Sequence, residues 1–308
     1  MNKLFAFIII VFMCSTSSLE AQKENFIGKW DLETEKDGQT LPSWLEIYKS
    51  GHGTLVGNFV FAFGSARPVS EFQYDDGSIF FSIPNQWEPK GQNMVFSATE
   101  ENDILSGVMI YTDGTTATWK GVRAPKLEYN KNPVWGDKID LFNGENLEGW
   151  SVKGNNEWEI IDGILTNKKS GGNLISNDLF NDFKLNVEFR YPEGSNSGIY
   201  LRGRYEVQIQ DDRGKEAANT LFGGVYGFLT PNENMAGNPG EWQSYEITLI
   251  GRRVTIVANG QPVIVEQNIP GITGGALDSK EGEPGPILIQ GDHGPVEFRK
   301  IEITPVTN

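Results

Sequence analysis

Phe183-Lys184-Leu185-Asn186-Val187-Glu188-Phe189-Arg190 alternates apolar and polar side chains without a break, the two-residue period of a strand with one face in a core. Phe183, Leu185, Val187 and Phe189 point one way; Lys184, Asn186, Glu188 and Arg190 point the other. The next runs repeat the division. Ile199 and Leu201 alternate with Tyr200 and Arg202, and Tyr205, Val207 and Ile209 alternate with Glu206, Gln208 and Gln210. Arg, Gln and Tyr outnumber Lys on the polar side, and their planar groups make the directional hydrogen bonds that recognise vicinal hydroxyls or carboxylates. Three successive strands are therefore expected to share one polar, ligand-facing side. Such a face belongs on the concave sheet of a two-sheet β-sandwich of jelly-roll type.

Working outward, the same strand signals extend over residues 139–306. A hairpin is expected across Asp162-Gly163, a meander over 244–250, 253–258 and 262–266 turns at Gly251 and Asn259-Gly260, and 286–290 and 297–303 close the chain. Residues 125–138, with Pro125 and Pro133, read as a linker. Before it, residues 24–124 hold about eight short runs, at 29–35, 44–49, 54–61, 68–74, 78–83, 93–99, 104–111 and 116–122, broken by turn signals such as Asp75-Asp76-Gly77 and Thr112-Asp113-Gly114. Eight strands suffice to close a small antiparallel up-and-down β-barrel. Its opening Gly28-Lys29-Trp30 resembles the start of lipocalin-like barrels. Trp30, Trp44, Trp87 and Trp119 are assigned to core packing, and His52, between two glycines, to a solvated hairpin tip. This domain carries no evident chemistry and reads as an accessory module.

Composition narrows the function. The 308 residues carry 26 basic against 41 acidic side chains, a net charge of -15, which argues against a nucleic-acid partner. With 36 glycines, 11% aromatic and only 22% charged residues, the chain is an all-β protein, not a coiled coil or a disordered one. Residues 1–21 read as a signal peptide: Lys3, then an apolar run too short to span a membrane, then a polar stretch ending at Ala21. Export to the periplasm or cell envelope is the expectation, with no membrane span. Met13 before the single cysteine, Cys14, disfavours a lipid anchor. Loss of Cys14 with the leader would leave no thiol and no disulfide.

Several motifs in the second half share one order and spacing. They are Leu141-Phe142-Asn143-Gly144 with Gly149-Trp150, Glu188-Phe189-Arg190, Asn196-Ser197-Gly198-Ile199, Tyr205-Glu206-Val207-Gln208-Ile209-Gln210-Asp211 and Gly224-Val225-Tyr226. Glu241-Trp242-Gln243, Asn259-Gly260, Gln290-Gly291-Asp292-His293-Gly294 and Glu297-Phe298-Arg299 follow. From about Asp140 to Ile303 the chain thus resembles the 3-keto-disaccharide hydrolase family, formerly a domain of unknown function and frequent in envelope proteins of Bacteroidetes. Gln243 stands where that family often has Asn, and Ile289 where it often has Leu. The resemblance implies a concanavalin A-like jelly roll acting on sugars whose C3 hydroxyl a separate oxidoreductase has made a ketone. A C3 ketone acidifies the C2 proton, so a base can remove it, the enolate expels the C1 aglycone, and water adds back.

Such chemistry needs a base near C2, donors for the enolate oxygen, and an acid or metal at the leaving oxygen. His293, Glu206 and Glu188 are the candidate acid–base groups; salt bridges of the two glutamates to Arg190 and Arg202 are the structural alternative. Arg190, Asn196, Arg202, Gln208, Asp211 and Gln290 are candidate substrate ligands. Tyr200, Tyr226 and Trp242 are candidate stacking or hydrogen-bonding partners of the sugar. No cofactor is certain. His293 with Glu206 and Asp211 would be a mixed nitrogen and oxygen set for a divalent metal ion, though no close ligand spacing supports it. A retaining glycosidase and a non-catalytic sugar-binding module are the competing functions.

Overall fold

The computed structural model describes residues 22–127 and 129–308; the expected leader, with Cys14, lies outside the described residues. Regular structure in them is almost wholly strand, and no helix among them is long and apolar enough to cross a membrane. Two compact units separate, residues 22–61 with 67–124 and residues 62–66 with 125–308.

The first unit holds β1 (Gly28–Lys36), β2 (Gln39–Ser50), β3 (Thr54–Val60), β4 (Arg67–Val69), β5 (Gln73–Asp75), β6 (Ser78–Ile83), β7 (Met94–Glu101), β8 (Ile104–Ile110) and β9 (Thr116–Arg123). They form one sheet in the order β4-β3-β2-β1-β9-β8-β7-β6-β5, in which the first and last strands pair, Trp30 opposite Arg123. Nine strands stand where eight runs are readable, because the run at 68–74 divides. Its first part pairs with β3 and its second with β6, so the chain there crosses between the two edges of the sheet. Pro68, which has no N–H to donate, suits an edge strand. The interior is filled by aromatic rings, Phe81 stacked on Phe96 at 4.7 Å and Phe59 tilted against Phe96 at 4.7 Å, with Trp30 and Trp119 buried. Trp44 is buried too, but Trp87 is 69% exposed, against the expectation of a core residue. No pleat governs the loop between β6 and β7. It turns Glu88 inward to a two-pronged ion pair with the buried Arg67 (2.9 and 3.2 Å) and so leaves its neighbour Trp87 outside.

The second unit holds β10 (Ile139–Asp140), β11 (Trp150–Lys153), β12 (Trp158–Ile161), β13 (Ile164–Asn167), β14 (Asn173–Ser176), β15 (Phe183–Arg190), β16 (Asn196–Leu201), β17 (Tyr205–Gln210), β18 (Gln243–Ile250), β19 (Arg253–Ala258), β20 (Gln261–Asn268), β21 (Leu288–Ile289) and β22 (Val296–Pro305). One sheet runs β12-β13-β22-β15-β18-β19-β20, with β10 beside β22; the other runs β11-β14-β21-β16-β17. Leu185, Val187, Phe189 and Ile247 of the first sheet and Ile199, Leu201, Val207 and Ile209 of the second are fully buried. The Tyr245 hydroxyl crosses between the sheets to donate to the Gln208 carbonyl (2.6 Å). This is the expected all-β jelly-roll sandwich.

The expectation of one shared polar face does not hold. The apolar halves of β15, β16 and β17 all point into the core, yet β15 lies in the eight-stranded sheet and β16 and β17 in the five-stranded one. Their polar halves therefore lie on opposite outer faces. Alternation fixes which side of its own sheet a residue takes and is silent on which sheet the strand joins.

Candidate active site

The outer face of the five-stranded sheet carries Asn196, Gly198 and Tyr200 from β16 and Glu206, Gln208 and Gln210 from β17. Tyr200 stands directly opposite Glu206, and Gly198 opposite Gln208. On the other side of β16, Gln290, one residue beyond β21, gives its N–H to the Gly198 carbonyl (2.9 Å), which places it on the same floor. Gly198 is the low point. A Cβ there would overlap the Glu206 carboxyl, so the missing side chain is what lets the carboxyl lie across the sheet.

Loops border this floor. Residues Gly223 to Tyr226 bond to the backbone of β17, with the Tyr226 N–H on the Glu206 carbonyl at 2.9 Å. The Glu206 N–H donates to Thr273 Oγ1 (3.0 Å), and the Tyr200 hydroxyl to the Gly274 carbonyl (3.1 Å). Glu206 is left 4% exposed. Burial disfavours its charged form and holds the carboxyl at about 8, against an ordinary 4.5; the Tyr200 hydrogen bond and the charge of His293 pull the other way, and the charge of Asp292 adds to the rise. The Tyr200 hydroxyl is pushed well above its ordinary value by burial and by Glu206.

His293 and Asp292 stand at the edge of this floor, about half exposed, with His293 Nδ1 2.7 Å from Asp292 Oδ1. The hydrogen bond to Asp292 raises the His293 pKa, burial opposes the rise, and the charges of Asp292 and Glu206 reinforce it. An ionised carboxylate only accepts, so Nδ1 donates to Asp292 and Nε2 keeps the ring's lone pair. The histidine is thus oriented by one carboxylate while sensing another. On the same floor, the side-chain oxygens of Asn196, Gln208 and Gln290 are buried with no hydrogen-bond partner in the protein. Each such orphan acceptor costs about 1–3 kcal/mol unless something donates to it. Three such acceptors lie together on one floor.

The structure brings together His293, Glu206, Asn196, Tyr200, Gln208, Gln290 and Tyr226, the last half-buried beside Tyr200. Others it sends elsewhere. Glu188 bonds Arg299 (2.5 Å) on the outer face of the eight-stranded sheet, and Arg190 pairs there with Glu297. Trp242 lies against both guanidinium groups, 4.7 Å from Arg190 and 4.5 Å from Arg299, instead of lining the floor. Arg202 sits in the turn after β16 at φ +53°, which breaks the alternation. It donates to Gly251 O (2.6 Å) and lines, with Asp182 and Gly251, a cavity of about 240 Å3 that Glu206 does not reach. Asp211 accepts the Gly194 N–H (2.8 Å) just past the end of β17 and fastens a turn. The metal set of His293, Glu206 and Asp211 is therefore not assembled, and among the described residues no three His, Cys, Asp or Glu side chains group closely enough to hold an ion. Asp292, Thr273 and Gly274 are the additions. Only Asp292 had a visible signal, an acid adjacent to the domain's histidine.

Residues 137–304, more than half of the chain, match the 3-keto-alpha-glucoside-1,2-lyase-like domain. The chain belongs to that family. Every residue of the site just described falls within the matched span of the lyase-like domain. A curated relative, the 3-keto-disaccharide hydrolase of Bacteroides thetaiotaomicron, is 27% identical over 146 residues, 43% of this chain and 48% of its own, so the chain spans about half the length of the relative it matches. A crystal structure from Parabacteroides distasonis described as a candidate glycosyl hydrolase is 32% identical, with a TM-score of 0.49, covering 55% of this chain and 83% of that one. A second from the same organism is 25% identical, with a TM-score of 0.44, over 55% and 98% of the two chains.

Proposed function

We propose that the lyase-like domain cleaves glycosides bearing a C3 ketone, by removing the C2 proton and expelling the C1 oxygen. The observation that carries this is the pairing of a buried, proton-holding Glu206 with the Asp292-oriented His293 above three unpartnered carboxamide oxygens. His293 Nε2 takes the C2 proton. The electron pair forms the C1–C2 double bond through the enolate, whose oxygen the carboxamide N–H groups of Asn196 and Gln290 stabilise. The C1–O bond breaks, and Glu206, neutral at pH 7 because it is buried, gives its proton to the leaving oxygen. Water then adds at C1 as the ionised Glu206 takes a proton from it, and protonated His293 returns a proton to C2. Both groups end as they began. No oxocarbenium ion is needed, and the net change is hydrolysis; release before water adds makes the same site a lyase.

Such a substrate must come from an oxidoreductase that dehydrogenates sugars at C3, acting where this chain acts; export to the cell envelope would place both there. The test mixes the full chain with a glucoside and with its 3-keto derivative and follows aglycone release. Turnover of the keto form alone is the expected result. Turnover of the plain glucoside would replace this reading by an ordinary glycosidase, and binding without turnover by a sugar-binding module. Glu206→Gln and His293→Ala should each lower kcat at least 100-fold.

A further inference from the structure

The five residues Ala62 to Ala66 follow β3 in the chain yet pack as part of the second unit. Backbone meets backbone at several points. The Gly275 N–H donates to the Ala62 carbonyl (2.8 Å), and the Gly64 backbone lies where a Cβ on Gly274 would stand. Ser65 Cα comes within 2.8 Å of the corresponding point on Gly227, whose φ of +74° also favours glycine. Gly274 and Gly227 are thus two places where the second unit has given up side chains to admit this segment, and Gly275 adds a backbone hydrogen bond to it. They are also the site's own neighbours. Gly274 receives the Tyr200 hydroxyl, a Cβ on Gly275 would overlap that same hydroxyl, and Gly227 follows Tyr226.

In the middle of the segment stands Phe63, 58% exposed although Ala62 is buried on one side and Gly64 is clamped on the other. A backbone held on both sides of an exposed phenyl ring, next to the loop that receives the Tyr200 hydroxyl, is suited to stack on the apolar face of a pyranose. We propose that residues 62–66 form a wall of the active site and that Phe63 is its specificity-determining residue, receiving the leaving sugar of a disaccharide. This rests on the assignment of the floor above to saccharide substrates. The segment lies outside residues 137–304, so the wall is a feature of this chain added to the family domain.

The experiment compares the full chain with Phe63→Ala and Phe63→Tyr. Kinetics use a 3-keto disaccharide and the methyl 3-keto-glucoside, and calorimetry uses the unoxidised disaccharide and methyl glucoside as probes. Phe63→Ala should raise KM for the keto disaccharide and weaken binding of the plain disaccharide about tenfold each, leave kcat within about twofold, and leave both methyl glucosides unaffected; Phe63→Tyr should restore the disaccharide values. Unchanged disaccharide affinity in Phe63→Ala, an equal loss with the methyl glucosides, or no binding of disaccharide by the unaltered chain would each overturn the wall. If the unaltered chain turns over neither keto sugar, the catalytic reading falls, and the calorimetric comparison still decides Phe63.

Discussion

Replacing Glu206 by Gln should make the second unit more stable while making it inactive, and the gain should depend on pH in a defined way. In the folded chain the carboxyl holds its proton up to about 8, whereas in the unfolded chain it releases it near 4.5. Between these values the unfolded state binds fewer protons than the folded state, so stability falls as pH rises. The loss is absent below 4.5 and complete above 8. At about 1.36 kcal/mol per unit it amounts to roughly 5 kcal/mol by pH 9 and about 3 kcal/mol at pH 7. Gln has the shape of the neutral carboxyl and no proton to lose, so it escapes this decline. The groups facing Glu206 are Tyr200, His293 and Asp292. His293, whose folded pKa is raised, also contributes stability that is lost as pH rises through that pKa, and part of its shift comes from Glu206. Comparing the two proteins at each pH therefore isolates the carboxyl together with its coupling to His293. The readout is the urea dependence of hydrogen exchange in peptides of β16 and β17 at pH 4.5, 7 and 9. The two proteins should agree within about 1 kcal/mol at pH 4.5 and diverge in favour of Gln above it. A gap of equal size at all three values, or a destabilised variant at pH 9, would refute the claim that burial of this carboxyl governs its proton.

Other outcomes follow from the same geometry. Gly198→Ala places a methyl group against the Glu206 carboxyl and should lower kcat at least tenfold with circular dichroism unchanged; a fully active variant would mean the carboxyl need not lie over Gly198. The pH profile of kcat/KM on a 3-keto glucoside should be bell-shaped. Its falling limb should lie near 8, set by Glu206, and its rising limb above the ordinary histidine value of 6.5, lost in His293→Ala measured at its residual rate. Glu188→Gln and Trp242→Ala alter only the outer face of the other sheet and should leave kcat/KM within about twofold; a loss of 100-fold in either would return that residue to the reaction.

Much of the fold was legible because a strand's period is a local property. Phe183, Leu185, Val187 and Phe189 needed no partner to declare an inner face, and Asp162-Gly163 and Asn259-Gly260 closed hairpins where chain chemistry allowed them. The short strands β11, β14 and β10 gave no such signal. At two to four residues they are strands only because a neighbour supplies the other half of their hydrogen bonds. The same limit split the candidate site. Tyr200, Glu206 and Gln208 come from adjacent strands of a single hairpin, so their common face followed from local pairing alone.

Glu188 shares their parity but reaches its sheet through pairing with β18 and β22, strands more than 50 residues away in the chain, and no periodicity within 183–190 records that choice. Arg202 fails for the opposite reason: the turn that makes the hairpin also ends the alternation, so a side chain counted as the next on the polar face is rotated out of it at φ +53°. Residues that reach the candidate site from loops, Thr273 and Gly274 beside Glu206 and Tyr200, have no period to be read at all. What marks them is the molecule's need to satisfy a buried N–H and a buried hydroxyl. A search from the sequence for sites of this kind should therefore begin from a carboxylate forced under cover by its own strand, and ask next which loop must come to cover it.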